Sequence, residues 1–447
     1  MIMEKMRKLT TEQTQKMIFY GLVVFLFILP IPQFFGPDNV KAIGVQTTML
    51  NLFLLFFCVV LVIEAANKRI IFKGFKKLGL AEKCVLGLIL VGSFSVIISK
   101  DKMIALYGTE LQGEGLISLL AYYMLFYITT ILENKLYRQK LLHLFLLLGS
   151  IVSIIGVMQF TGIYEFSDMF PGMACVPMRN PNFYGGFSVL FTGAAMGGFY
   201  LYRNESEVTH PYSKWNRLVW YIFILFGYAA CICSDSSLVY AGLIMQLLLY
   251  LFLKLVTKSK DFVSFFSLVA GLLVLILVFD TIRDGKVMAQ IMSVSHQVEE
   301  GGSIFADGVG SGRMLAWKNI ITLLPEYGLF GCGIEQLGPL YIERFHTLGG
   351  YFDKAHNEYL NLWITEGVFA VVLYLMFLFA LFFPGITRFW EKGEVTTSGS
   401  VAKDEVAMIA LFAFFGYIAQ AFFSISVVQV APYFWIVCGL LYSRKRS

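Results

Sequence analysis

Phe262-Val-Ser-Phe-Phe-Ser-Leu-Val-Ala-Gly-Leu-Leu-Val-Leu-Ile-Leu-Val-Phe-Asp280 carries no charged side chain until its last residue. Crossing roughly 30 Å of hydrocarbon takes about 20 helical residues, so the stretch reads as a membrane span. The pattern recurs from end to end. Apolar stretches at 17–35, 44–65, 81–99, 114–132, 141–161, 182–202, 218–233, 237–256, 262–280, 357–383, 406–424 and 427–443 predict an all-α polytopic membrane protein with about twelve transmembrane helices. Composition agrees: 57% of the 447 residues are hydrophobic, 15% are charged, and the mean hydropathy is +0.71, which removes the chain from the soluble class. The first apolar stretch contains Pro30 and Pro32 and is followed by no small-residue cleavage site, so it is expected to be a retained span.

Positive charge is retained on the cytoplasmic side during insertion, which orients the helices. With the N-terminus inside, alternate connections hold 25 of the 35 Lys and Arg residues, and both termini are expected to be cytoplasmic. The net charge of +5 is largely this topological bias and implies no nucleic-acid partner. The seven cysteines form no CxxC pair and mostly lie in apolar stretches, as buried thiols do. No internal repeat or linker divides the chain, apart from the short polar stretch Thr396–Ser400, so residues 1–447 are expected to form a single integral membrane domain.

One connection stands apart. Residues 281–356 are too long for an ordinary helix connection and are expected to form a large extracytoplasmic loop. Within it, Arg313, Trp317 and Ile321 share one face of a predicted helix, preceded by Gly308-Val-Gly310-Ser-Gly312. Such a turn either caps an ordinary helix or gathers backbone N–H groups around an anion. The loop ends in Asp353-Lys354-Ala-His356-Asn357-Glu358-Tyr359. Ionisable groups at a membrane boundary need a partner or a task, and histidine can take and return a proton near neutral pH. Arg179-Asn180-Pro-Asn182 enters the sixth span either as a capped helix start or as irregular backbone lining a wet cavity. Asp235 lies in the very short turn between the seventh and eighth spans, where it either completes the turn or orients a cationic or hydroxyl group. Gly193 and Gly197 are spaced for close helix packing.

Taken together, Gly312-Arg313 with Trp317, Gly328-Leu-Phe-Gly331-Cys-Gly333, Ala355-His356-Asn357-Glu358-Tyr359-Leu360 running to Glu366-Gly367, Asn180-Pro-Asn182-Phe183 and Leu106-Tyr107-Gly108 resemble the O-antigen ligase and polysaccharide polymerase superfamily. These bacterial membrane glycosyltransferases also include protein O-oligosaccharyltransferases. The resemblance implies metal-independent transfer of a glycan from a polyprenyl diphosphate carrier to a glycan, lipid or protein hydroxyl at the outer face of the bacterial cytoplasmic membrane, with no cofactor. It casts His356 as general base, or as the group that positions the acceptor. Arg313 would hold the diphosphate, whose oxygens suit a guanidinium fork. Arg179, Asn180, Asn182, Asp235, Trp317, Lys354 and Asn357 are the expected substrate-binding residues. Many members of the superfamily carry an arginine directly after the serine of the turn between the seventh and eighth spans, where this chain has Ser237-Leu238. A second cation on the diphosphate would then be absent or come from elsewhere, for example from Arg179 or Lys354.

A transporter or flippase for a lipid-linked glycan is the rival reading. Transporters tend to place polar elements near the bilayer midplane in matched repeats, whereas here the polar candidates gather at the outer boundary. A non-catalytic scaffold would leave His356 and Arg313 dispensable.

Overall fold

The computed structural model describes residues 10–35, 39–67, 78–164, 170–204, 213–346, 352–389, 394–395, 401–402 and 404–442. Among them the order is α1 (Thr11–Ile28), α2 (Pro32–Phe35), α3 (Asn39–Ala66), α4 (Leu80–Ile98), α5 (Lys102–Tyr107), α6 (Leu116–Thr130), α7 (Lys135–Phe160), α8 (Pro181–Asn204), α9 (Ser213–Cys233), α10 (Leu238–Val256), α11 (Val263–Ile282), α12 (Lys286–Gly301), α13 (Arg313–Tyr327), α14 (Leu337–Phe345), α15 (Glu358–Glu366), α16 (Val368–Thr387), α17 (Glu405–Gln420) and α18 (Ala431–Leu441). Two-residue strands Glu394–Val395 and Val401–Ala402 pair antiparallel, and Thr396–Ser400 between them lies outside the described residues.

Each of the twelve expected stretches is helical, with a difference in kind. Seven are long and apolar enough to cross a membrane: Thr11–Phe34, Val40–Ala66, α4, α7, α10, α11 and α16. Four more, α6, Arg217–Cys233, α17 and α18, are apolar but shorter. At 1.5 Å per residue α18 is only about 16 Å long. The remaining stretch, α8, has every residue from Tyr184 to Tyr200 buried among other helices. A Cβ on Gly193 or Gly197 would strike the backbone of α17 at Ala413 or Ile409, so small residues let these two helices approach closely. The opposite case is α11, where Phe266, Leu273 and Leu277 are more than half exposed, an apolar surface suited to lipid. The chain is a multi-pass membrane protein.

Within residues 281–356, α12, α13 and α14 occupy much of the segment, and α13 and α14 share a small core around Ile320, Leu337 and Tyr341. One expectation needs correction. The span expected over 357–383 is broken at Gly367, which has a φ of 88°. The carbonyls that the break releases are taken by another segment. Cys332 N donates to Ile364 O at 2.8 Å and Gly333 N to Thr365 O at 2.9 Å, while Val368 N donates to Gly328 O at 2.9 Å. A Cβ on Gly331, itself at φ 84°, would stand 2.1 Å from Thr365 O. The glycines of Gly328–Gly333 thus let one backbone lie against another, which pins the loop region to the start of α16.

Candidate functional site

The turn 353–358 between that loop region and α15 is anchored on both sides of one histidine. Asp353 accepts from the Gln112 amide. Ala355 N donates to Asn361 Oδ1 at 3.1 Å, and Ala355 O accepts from Trp317 Nε1 at 2.8 Å. Asn357 caps α15 by accepting from Leu360 N at 2.9 Å. Glu358 N donates to Ala421 O at 2.9 Å. Among the described residues nothing hydrogen-bonds to the imidazole of His356, which sits in the left-handed region at φ 48° with its ring edge-to-face on Phe352 at 5.8 Å. Burial and then the positive field of Arg313, opposed by Asp353 and aided by Lys354, push the imidazole down to about 4. At neutral pH His356 is therefore uncharged and has a free lone pair for a proton.

Arg313 opens α13, and its positive charge acts on His356. One guanidinium nitrogen, Nη1, donates to Gly310 O at 2.7 Å, and among the described residues the buried Nε has no partner. Burial lowers its pKa, yet a guanidinium stays charged. Gly312, at φ 82°, lies against Phe352, so the loop before α13 and the histidine turn share one aromatic contact. The turn Gly308–Gly312, which reads as a helix cap or as an anion nest, has its amides from Gly310 onward taken by the protein itself. Gln297 Oε1 takes Gly310 N at 2.8 Å and Ser311 N at 3.4 Å, and backbone carbonyls take the amides of 312, 313 and 314.

Several other expected substrate contacts have their polar atoms committed. The Lys354 ammonium donates to Glu114 and to the carbonyl of Ser426 at 3.1 Å, and it is ion-paired with Glu335 at 3.2 Å. Burial works against its charge, but Glu114 and Glu335 outweigh burial and hold it above the usual lysine range. It is thus not a spare cation for a diphosphate. Trp317 uses its N–H on backbone, and Asn357 uses its side-chain oxygen as a cap. Asn180 is likewise a cap, its Oδ1 accepting from Asn182 N at 2.8 Å. Asn182 Oδ1 accepts from Ser236 Oγ at 2.6 Å, which ties the start of α8 to the turn that holds Asp235. Asp235 has a φ of 50°, and burial raises its pKa against the pull of Arg283 and Lys286. Arg179 Nε points to Gln33 O at 3.4 Å.

His356, Arg313, Trp317, Lys354 and Asn357 therefore gather around one turn, and Asn180, Asn182 and Asp235 form a second group at the α8 and α10 ends. Glu114 and Glu335, which neutralise Lys354, were not among the expected site residues. Glu114 offered one usable signal, a carboxylate at the mouth of an apolar stretch.

The O-Antigen ligase family model matches residues 221–375, a segment that contains Asp235, Arg313, Trp317, Lys354, His356 and Asn357. No curated protein matches the chain.

Proposed function

We propose that this chain, a member of the O-antigen ligase superfamily by its matched segment 221–375, transfers or polymerises a polyprenyl-diphosphate-linked glycan onto an acceptor hydroxyl. The observation that carries this reading is that the His356 imidazole and the Gly312-Arg313 start of α13 meet at Phe352, the imidazole with no hydrogen bond and the arginine Nε with no partner among the described residues. His356 takes the proton as the acceptor oxygen attacks the anomeric carbon. The bond from that carbon to the diphosphate breaks, and its electrons leave with the polyprenyl diphosphate. Arg313 holds the charge that develops there. Histidine then returns the proton to the departing diphosphate or to water. Neither a nucleotide nor a metal is required, because the diphosphate is already a good leaving group.

The membrane placement belongs to the same proposal. One integral domain of about twelve spans, counting the shorter helices and α8, puts residues 281–356 on the outer face and both termini in the cytoplasm of a bacterial cell. The uneven distribution of lysine and arginine supports it. Cysteine labelling at Ser311 and Ser447 by a membrane-impermeant maleimide in intact cells reads the two sides. Labelling at Ser311 alone is expected, and the reverse pattern rejects the orientation.

The activity is tested with purified protein in liposomes, a polyprenyl diphosphate-linked oligosaccharide and candidate acceptors, read by gel shift of the product. Wild type should form product without added nucleotide or metal, and folded His356→Ala and Arg313→Ala should not. Movement of the lipid-linked glycan across the bilayer without transfer would replace this reading with a carrier.

A further inference from the structure

A cavity of about 80 Å³ lies under the 353–358 turn, among α4, α6, α15 and α16. Its walls include Glu114, Glu335, Lys354, Glu358, Glu366 and Tyr374, four carboxyl groups facing one cation. The partners are unevenly shared. Lys354 bridges Glu114 and Glu335. Glu114 also accepts from Tyr122 and Ser426, both at 2.7 Å, and Glu335 accepts from Thr109 at 2.8 Å. Glu358 accepts from the phenols of Tyr374 at 2.6 Å and Tyr417 at 3.2 Å.

Glu366 is the exception. It is 5% exposed, and its Oε2 is buried with no hydrogen-bond partner among the described residues. It stands last in α15, just before the break at Gly367. Oε2 would lie only 3.4 Å from a Cβ on Gly92, so α4 meets it with a bare backbone and supplies no donor. The hydroxyl of Ser95, also on α4, donates to Thr365 O. The titratable and charged groups around the carboxyl are Tyr122 and Tyr123 of α6, Glu114 before it, Glu335, Lys354, Glu358 of the same helix and Tyr374 of α16; Tyr417 of α17 faces Glu358. The sole cation among them is already divided between two carboxylates. An ionised carboxyl that is buried without a partner is not sustainable, so a neutralising ligand is required. Among the described residues no three His, Cys, Asp or Glu side chains come close enough to hold a metal ion. The volume exceeds the roughly 10–15 Å³ that one water needs, and the carboxyl, ammonium and phenol groups of the walls offer water its hydrogen-bond partners.

We propose that this cavity is a hydrated proton-binding site in which Glu366 carries the proton and exchanges it through cavity water. The assignment is independent of the transfer reaction. It removes one of the four carboxylate charges beneath the 353–358 turn: Lys354 and Glu358, two residues either side of His356, both line the cavity.

Infrared spectroscopy of the full chain in lipid nanodiscs at neutral pH, before and after exchange into D₂O, tests it. The expected result is a protonated-carboxyl C=O band that shifts in D₂O, disappears in Glu366→Gln and survives in Glu358→Gln. No such band in wild type, persistence in Glu366→Gln, or loss in Glu358→Gln overturns the assignment to Glu366. A band that does not respond to D₂O overturns the hydrated cavity. Glutamine is the neutral isostere of a protonated glutamate, so failure of Glu366→Gln to fold, judged by gel filtration and helical circular dichroism, also counts against a neutral carboxyl.

Discussion

The indole N–H of Trp317 donates to the carbonyl of Ala355 at 2.8 Å, across 38 residues of sequence. Helix α13 thus carries Arg313 at its first position and, one turn later, fixes the backbone that precedes His356. The two candidate catalytic groups are set relative to each other by one helix and one hydrogen bond. In the proposed reaction this hydrogen bond makes Trp317 a positioning residue.

Trp317→Phe keeps an aromatic ring beside Phe423, 6.2 Å away, and removes the donor. The Ala355 carbonyl then loses its partner, at a cost of about 1 kcal/mol in stability. Transfer should fall through kcat with little change in KM for the donor, since the loss disturbs the base and leaves Arg313 in place. Equal loss through KM alone would show that the indole binds substrate directly.

His356 should titrate at about 4 in the free protein, measured by NMR of ¹³C-labelled histidine against His356→Asn. Unfolded imidazole titrates near about 6.5, so between these values the unfolded chain binds the extra proton. Stability therefore rises with pH across the window and is lost as pH falls through it. Wild type should lose thermal stability on acidification more steeply than His356→Asn. An anionic diphosphate beside Arg313 should move the imidazole upward, because it cancels part of the positive field that depresses it.

Lys354→Met removes the cation shared by Glu114 and Glu335 and leaves two buried carboxylates facing each other. Breaking such a buried pair costs about 3–5 kcal/mol. Adding Glu114→Gln to Lys354→Met should restore part of the loss, a non-additivity readable as a double-mutant cycle in thermal unfolding. Additive effects would show that the ion triad is not formed.

Gly331→Ala should destabilise more than an average surface substitution, by at least about 1–2 kcal/mol from the left-handed backbone alone. Its Cβ would also meet Thr365 O at 2.1 Å. Gly162→Ala is the control, since Gly162 also has positive φ but no atom within 4 Å of the added Cβ. A larger loss at 331 than at 162, by differential scanning fluorimetry, isolates the contact with the broken helix.

Local chemistry accounts for the residues that were legible in advance. The helix at Arg313 follows from the spacing of Arg313, Trp317 and Ile321 after a glycine turn, and α13 begins at Arg313. Asn180 before Pro181 reads as a cap and is one. The break at Gly367 was not legible, because Leu362, Trp363 and Ile364 lead into Val368 with only the short Thr365-Glu366-Gly367 between them. What ends the helix is a partner: amides of Cys332 and Gly333 supply the hydrogen bonds that continuing the helix would have made.

The sequence by itself determined the solvent. A chain this apolar, cut into helix-length runs, can satisfy its backbone in hydrocarbon only as helices, whatever their arrangement. It also determined that the ionisable residues around 353–366 would need partners. Only the tertiary structure decided which partners they took. Lys354 finds Glu114 and Glu335, Trp317 finds Ala355, and His356 and Glu366 are left open. Helical periodicity fixes which residues share a face of one element, whereas the pairing of charges far apart in sequence depends on how separate elements pack, and that arrangement is carried by no local pattern.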